Sequence, residues 1–297
     1  MRATGGFSTL VIATLIAAGR LDERLLTAAL GRVQGSRLVC WIDQGDAADL
    51  EIPAELMAVR SAFQGWGEVD IIPHPAGPRE KRLLVADMDS TMIGQECIDE
   101  LADYAGVKPE VADITERAMQ GELDFAGALK ERVALLRGLD ASVIDQCLAE
   151  RIRPNAGAET LVRTMRSRGA MTMLVSGGFT AFVGPIAEKI GFERFEANVL
   201  GVTGGKLSGA TEGRIVDSRR KHDVLSELRD QLGLVANQTL AIGDGANDIP
   251  MIEEAGLGIA YRAKPALAAV ADARLDHHGL DALLWAQGIP KSEWVGE

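Results

Sequence analysis

The stretch Leu83–Glu96, LLVADMDSTMIGQE, decides the fold. Leu83, Leu84, Val85 and Ala86 form a short, unbroken apolar run. Such a run without alternation is the pattern of a strand covered on both faces, as in a parallel sheet. The run ends in two carboxylates, Asp87 and Asp89, followed by a hydroxyl pair, Ser90 and Thr91. Acids this close repel each other, so packing alone gives no reason to put both at the end of a buried strand.

The same form recurs downstream. MTMLVSGG (Met171–Gly178) and TLAIGDGAND (Thr239–Asp248) are apolar runs that end in polar residues and glycine, each followed by a helical pattern. GLGIAY (Gly256–Tyr261) reads as a further short strand. Strands alternating with helices predict an α/β fold with a doubly wound parallel sheet. In such sheets ligands bind beyond the carboxyl ends of the strands, at a switch point. Residues 93–155 are helical throughout, with apolar residues at spacings of three and four. They predict a helical cap inserted after the first strand, above the strand ends, where a lid would sit. The glycine-rich LGVTGGKLSGATEGRIV (Leu200–Val216) predicts a hairpin at the sheet edge.

Residues 1–79 read differently. TLVIATLI, RLVCWID and VDIIP are strand-like, and DERLLTAALGRV and AELMAVRSAF are helical. They predict a small α+β domain of ferredoxin-like type, similar to ACT modules, with a fourth strand hidden in DQGDAADLEIP. PHPAGPRE (Pro73–Glu80) brings three prolines and a glycine and reads as a linker. The expected division is therefore residues 1–79 and 80–297, with core segments 80–92 and 156–297 around the cap.

Composition narrows the function classes. A chain of 297 residues, nearly half of them hydrophobic, can build more than one core. Its formal charge of −12 argues against nucleic acid, whose phosphates need Lys and Arg. Three scattered cysteines, Cys40, Cys97 and Cys147, suggest free thiols in a reducing cytoplasm rather than a disulfide framework. No apolar run approaches the roughly 20 residues that span a bilayer, so no membrane partner is expected. LVIATLIAAG (Leu10–Gly19) has the length of a signal-peptide core. An amphipathic helix follows it, and it is read as the first strand of a folded domain.

The opening pair of acids gains its meaning from the later strand. If both strands share one sheet, Asp87 and Asp89 converge with Asp244 and Asp248. Four carboxylates in one small volume cannot all ionise without a cation. Mg²⁺ takes oxygen ligands, commonly one or two carboxylates with waters and a substrate phosphate. Ser176, Gly177 and Gly178 offer a hydroxyl and closely approachable backbone N–H groups to an anion, and Lys221 offers a point charge.

In this order, DMDST, SGG, Lys221 and GDGAND resemble the haloacid dehalogenase-like (HAD) superfamily, which implies a Rossmannoid core. DSTMIGQECIDELA, ITERAMQGELDFAGALKERVALLRGL, LVSGGF and AIGDGANDIPMIEEAGLGIAYRAKP resemble its phosphoserine phosphatase family. The likeness runs from about Arg82 to the C-terminus. It implies Mg²⁺-dependent hydrolysis of O-phosphoserine, the last step of serine biosynthesis. By the resemblance Asp87 is the nucleophile that becomes an aspartyl-phosphate, and Asp89 the general acid and base. Mg²⁺ would be held by the Asp87 carboxylate, the Asp89 carbonyl and Asp244, with Asp248 supporting that shell. Ser176, Gly177, Lys221 and Asn247 would hold the phosphoryl group. Glu96 would meet the substrate ammonium and Arg132 its carboxylate. Met119 and Phe125 would shield the site from water.

Plainer readings compete. Lys221 stands among Arg219, Arg220 and His222, a basic cluster that solvent could account for. Glu96 could be an acid at a helix N-terminus, and Arg132 a surface partner of Glu131. His277 and His278 are expected on an exposed loop, and nothing near Cys97 activates its thiol. Among functions, the same catalyst could act on another small phosphomonoester or acceptor such as homoserine. A receiver-like phosphorylated switch would need a persistent aspartyl-phosphate, which Asp89 opposes. The N-terminal domain could sense an amino acid or hold a homodimer together.

Overall fold

The computed structural model describes residues 10–74, 77–119 and 122–296, the side chain of Met119 excepted. Thr9 of the first expected strand and Pro75 of the expected linker lie outside the described residues.

The N-terminal part runs β1 (Val11–Leu21), α1 (Glu23–Leu30), β2 (Arg37–Asp43), β3 (Gly45–Ile52), α2 (Leu56–Phe63) and β4 (Asp70–His74). Its sheet has the order β2-β3-β1-β4, with every pairing antiparallel. This is the ferredoxin-like connection, and β3 falls inside the stretch expected to hide a strand. Two details differ from the sequence reading. The first strand continues past Ile16 to Leu21, through an irregularity that includes Gly19 at φ 71°. Pro73 belongs to β4 rather than to a linker, opposite Ala13. A sheet edge tolerates a residue without an N–H, and β4 is an edge strand.

Period-two alternation gives this sheet two dissimilar faces. Ala13, Leu15 and Leu50 pack with Val59 and Phe63 of α2. Ile16, Ala47 and Ile72 join the large apolar cluster of the second sheet.

That second sheet begins with β5 (Leu83–Ala86). Four cap helices follow: α3 (Cys97–Ala105), α4 (Lys108–Met119), α5 (Phe125–Leu135) and α6 (Val143–Glu150). The chain then returns through α7 (Ala158–Ser167), β6 (Met171–Phe179), α8 (Thr180–Ile190), β7 (Arg194–Thr203) and β8 (Lys206–Glu212). It closes with α9 (Ser218–Gln231), β9 (Thr239–Gly243), α10 (Ile249–Glu254), β10 (Gly258–Tyr261), α11 (Pro265–Val270), β11 (Ala273–Leu275) and α12 (Ala282–Ala286). The sheet order is β11-β10-β9-β5-β6-β7-β8. All neighbours are parallel except the edge hairpin β7–β8. After β5 the chain lays β6 and β7 on one side of it and β9 to β11 on the other. The switch point therefore lies between β5 and β9. Leu83 to Ala86 are fully buried, as their unbroken apolar pattern predicts.

Polar contacts join the two sheets. Thr14 donates to Asp49 at 2.9 Å, so His74 Nε2 must donate to Thr14 Oγ1, also at 2.9 Å. Arg79 pairs with Asp49, donates to Thr14, and reaches the carbonyls of Trp285 and Ala286 at the end of α12. His278 departs from the expected exposed loop: its side chain is only 11% exposed, with Nδ1 2.7 Å from Asp70. Asp70 also accepts the backbone N–H groups of Asp276, His277 and His278. His277 itself is exposed. Among the described residues no helix is long and apolar enough to cross a membrane.

Candidate active site

The parallel register places the acids. Ala86 stands opposite Ile242, and Asp87 N–H donates to the Ile242 carbonyl at 3.0 Å. Asp87 is thus the first residue beyond β5, and Asp244 the first beyond the neighbouring β9. Asp248 follows one turn later. A Cβ on Gly243 would stand 2.5 Å from the Asp248 carboxyl carbon, so that glycine lets the loop fold back on itself. Carboxylate oxygens of Asp87, Asp244 and Asp248 lie within 4.8 Å of one another, and all three residues are buried.

Lys221 stands between them. Asp217 caps α9 by accepting the Arg220 N–H at 2.8 Å. The helix so started buries Lys221 to 1% exposure. Its Nζ lies 2.7 Å from Asp87 Oδ1 and 2.7 Å from Asp248 Oδ1. Burial opposes its charge, but Asp248 and Asp87 outweigh burial and raise its pKa. The neighbour that competed for this role, Arg220, turns to Glu196 and Glu227 instead.

The acids are not fully balanced. Burial, reinforced by the Asp248 charge, raises the Asp87 pKa well above the usual carboxylate range despite Lys221. Burial also raises Asp244, against the pull of Lys264. Asp89 is pushed up to about 7 by burial and by the nearby Glu96. Asp248 has most of its acceptor capacity in use. One oxygen takes Lys221, and the other takes the N–H groups of Asp244 and Gly245 at 3.2 Å. Asp244 is held more loosely, by Thr91 at 3.3 Å and Lys264 at 3.4 Å. A hard divalent cation fits this donor set, all oxygen and short of positive charge. Asp87 and Asp244 have lone pairs to give it, while Asp248 keeps Lys221 and the loop in place.

Beside the acids, β6 delivers Ser176, buried to 1%, and two glycines. Ser176 Oγ accepts the Gly178 N–H at 2.8 Å. A Cβ on Gly178 would stand 3.0 Å from Asp89 Oδ2, and one on Gly177 would stand 2.8 Å from the Phe125 ring. The strand end is therefore open to close approach, with Phe125 of the cap directly against it. Asn247, in the loop after β9, donates to Asp248 at 3.4 Å.

The cap contributes charge. Glu96 precedes α3 but caps no backbone group there. Its carboxylate accepts Ser90 Oγ at 2.7 Å, and burial raises its pKa. Ser90 has φ 54°, a left-handed conformation uncommon for serine and concentrated at functional turns. Arg132 is not the surface partner of Glu131, which pairs with Arg117. Its Nε donates to the Ala128 carbonyl at 3.3 Å. Burial lowers its pKa, while Asp99, Glu96 and Asp89 act against that. Cys97 stays outside the chemistry, because burial pushes its thiol well up. Met119 ends α4, but its side chain lies outside the described part.

Lys264 was not legible as a site residue. Its side chain is 62% exposed, its Nζ approaches Asp244, and its backbone N–H donates to the Asp244 carbonyl at 2.8 Å. The available signal was its position just past β10, the neighbour of β9.

Comparison with known proteins places this chain in a family. The haloacid dehalogenase-like hydrolase family matches residues 84–253, more than half of the chain. The phosphoserine phosphatase SerB2 of Mycobacterium tuberculosis is 43% identical over 241 residues, covering 81% of this chain and 59% of that protein. The chain thus spans little more than half the length of that curated relative. A phospho-aspartyl intermediate analogue of phosphoserine phosphatase superposes with a TM-score of 0.64 at 40% identity, covering 69% of this chain and 98% of that one. A HAD family hydrolase, t0658 from Salmonella enterica, superposes with a TM-score of 0.83 at 26% identity, covering 93% and 98%.

Proposed function

We propose that this chain, which belongs to the haloacid dehalogenase-like hydrolases, hydrolyses O-phosphoserine to serine and inorganic phosphate. The setting would be the cytoplasm, as the last step of serine synthesis. The observation that carries the reading is Lys221 at 2.7 Å from both Asp87 and Asp248, in a buried cluster richer in carboxylates than in cations. The names of the relatives support the substrate.

In the first half of the reaction an Asp87 carboxylate oxygen bonds to phosphorus as the bond from phosphorus to the serine oxygen breaks. Asp89 gives its proton to that departing oxygen. In the second half Asp89, now ionised, takes a proton from a water that attacks phosphorus. The bond from phosphorus to Asp87 breaks, phosphate leaves, and both acids return to their starting states. A group that must donate and then accept works best with a pKa near neutrality, and Asp89 at about 7 meets that need. Lys221 and Ser176, with the open backbone at Gly177 and Gly178, hold the phosphoryl oxygens, and Asn247 helps from the opposite loop. The carboxylates of Asp87 and Asp244 and the Asp89 carbonyl would hold Mg²⁺, with Asp248 supporting that shell, and the bound cation would supply positive charge to the phosphoryl oxygens. Glu96 answers the substrate ammonium and Arg132 its carboxylate, the planar fork suiting a bidentate match. Phe125 and Met119 exclude water. A homodimer through the small sheet would pair on its edge strand β2, where Val39 is exposed.

Phosphate release from phosphoserine, phosphothreonine and phosphoethanolamine, with and without EDTA, tests this reading. Phosphoserine is expected to be the best substrate, and EDTA to stop its turnover. No multiple turnover on any of the three esters would overturn the assignment. Equal kcat/KM on phosphoethanolamine, which lacks the carboxylate, would remove Arg132 from it.

A further inference from the structure

The seam between the two sheets forms an open cavity of about 800 Å³ that shares no lining residue with the acid cluster. It falls in the range of about 300–1,000 Å³ usual for small-molecule sites. One wall is α2 and the start of β4. The other is α11, β11 and the loop after it. Phe63, Val69 and Ala269 give it an apolar surface.

Its charged residues are unevenly satisfied. Asp70 is saturated by three backbone N–H groups and His278, and Asp276 pairs with Arg274 at 2.8 Å. Both acids are therefore occupied. The two arginines are not matched in the same way. Arg60 donates to the neutral carbonyls of Ala268 and Ala271 and forms no ion pair among the described residues. Arg274 uses Nη2 on Asp276, while its Nε is buried without a hydrogen-bond partner. Burial lowers the Arg60 pKa, and repulsion from Arg274 lowers it further, so each guanidinium feels the other's charge. Arg60 and Arg274 face the cleft from its two walls, and two cations converging on one cleft draw an anion.

We propose that this cavity is a binding site for a small monocarboxylate with an apolar body. The carboxylate accepts from Arg274 and lies within the field of Arg60, and the body rests on Phe63, Val69 and Ala269. A carboxylate with an apolar body is favoured over a bare inorganic anion because Phe63, Val69 and Ala269 offer the body an apolar surface that an inorganic anion would leave uncovered.

Calorimetry on the full chain with phenylacetate as the probe tests this. Acetate supplies the head without the body, and 2-phenylethylamine the body with the opposite charge. Phenylacetate is expected to bind saturably, and each control at least tenfold more weakly. Arg274→Met and the cavity-filling Ala269→Phe are each expected to weaken phenylacetate at least tenfold, at a melting temperature that shows a folded protein. Arg132→Ala is expected to leave phenylacetate binding unchanged. The proposal is overturned by any of three results. One is no saturable binding; another is equal binding by folded Arg274→Met and Ala269→Phe; the last is loss in Arg132→Ala alone, which would put the probe in the cleft under the cap. None of these measurements depends on catalysis, so their failure leaves the reading of the acid cluster intact.

Discussion

Two buried polar networks stand in this molecule, and they are built on opposite plans. At the seam, Asp49 meets Arg79, Thr14 links Asp49 to His74, and burial keeps His74 uncharged by driving its pKa well below the usual value. In that network Arg79 answers the Asp49 charge. At the strand ends burial raises the pKa of Asp87, Asp89, Asp244 and Glu96, and one buried lysine and one largely exposed lysine do not offset it. The seam network holds the two sheets together through Arg79, which reaches the carbonyls of Trp285 and Ala286. The unbalanced one is, on the function proposed above, the place where a cation and a phosphate enter, and a cluster of perturbed carboxylates is what such a site needs.

The sharpest way to break that contrast is Asp87→Asn. Turnover is expected to fall on the order of 10⁴-fold or more, as for loss of a covalent nucleophile, while the melting temperature in EDTA does not drop. Removing one of several repelling acids relieves strain rather than creating it. A large loss of metal-free stability with turnover retained would reverse the roles of the two networks. The opposite substitution is Arg79→Ala. It leaves Asp49 buried without its partner, and about 3 kcal/mol of stability should be lost by urea unfolding, with kcat on the folded enzyme unchanged.

Arg132→Ala probes the cap. KM for phosphoserine is expected to rise roughly 10- to 100-fold, the value of one charged contact of about 1.4–3 kcal/mol, with little change in melting temperature. An unchanged KM would place the substrate carboxylate elsewhere.

The smallest effect concerns pH. His74 is neutral in the fold, with a folded pKa well below its unfolded value near 6.5. Above pH 6.5 neither state binds the proton, and His74 has no effect. As pH falls below 6.5 the unfolded chain takes up a proton that the fold refuses, so stability drops. The slope approaches about 1.4 kcal/mol per pH unit. Between pH 7 and pH 5 the wild type should lose more stability by urea unfolding than His74→Gln does. Parallel slopes would mean that the seam tolerates a charge after all.

Sequence and structure agree best where information is local. Leu83–Ala86 announces a doubly covered strand in four residues, and the acids after it announce a cation. The three segments that end in Asp87, Ser176 and Asp244 could be brought together because parallel strands align their carboxyl ends. The seam was illegible for the opposite reason. Asp70 finds its partners more than 200 residues away in sequence, and no periodicity marks such a pairing. Pro73 was misread as linker chemistry because proline signals a strand edge and a loop alike. Lys264 escaped notice because its meaning lies in the adjacency of β9 and β10, a property of the sheet and not of its own neighbours in the chain.

One short helix now takes on a mechanical meaning. The residue just before α11, Lys264, hangs by its N–H from the Asp244 carbonyl, and the carbonyls of Ala268 and Ala271 are gripped by Arg60 of α2, which packs on the small sheet. Six residues of helix span only about 9 Å, too short a strut to flex. Sliding the small sheet must therefore either snap the arginine's grip or tug on an acid at the heart of the cluster.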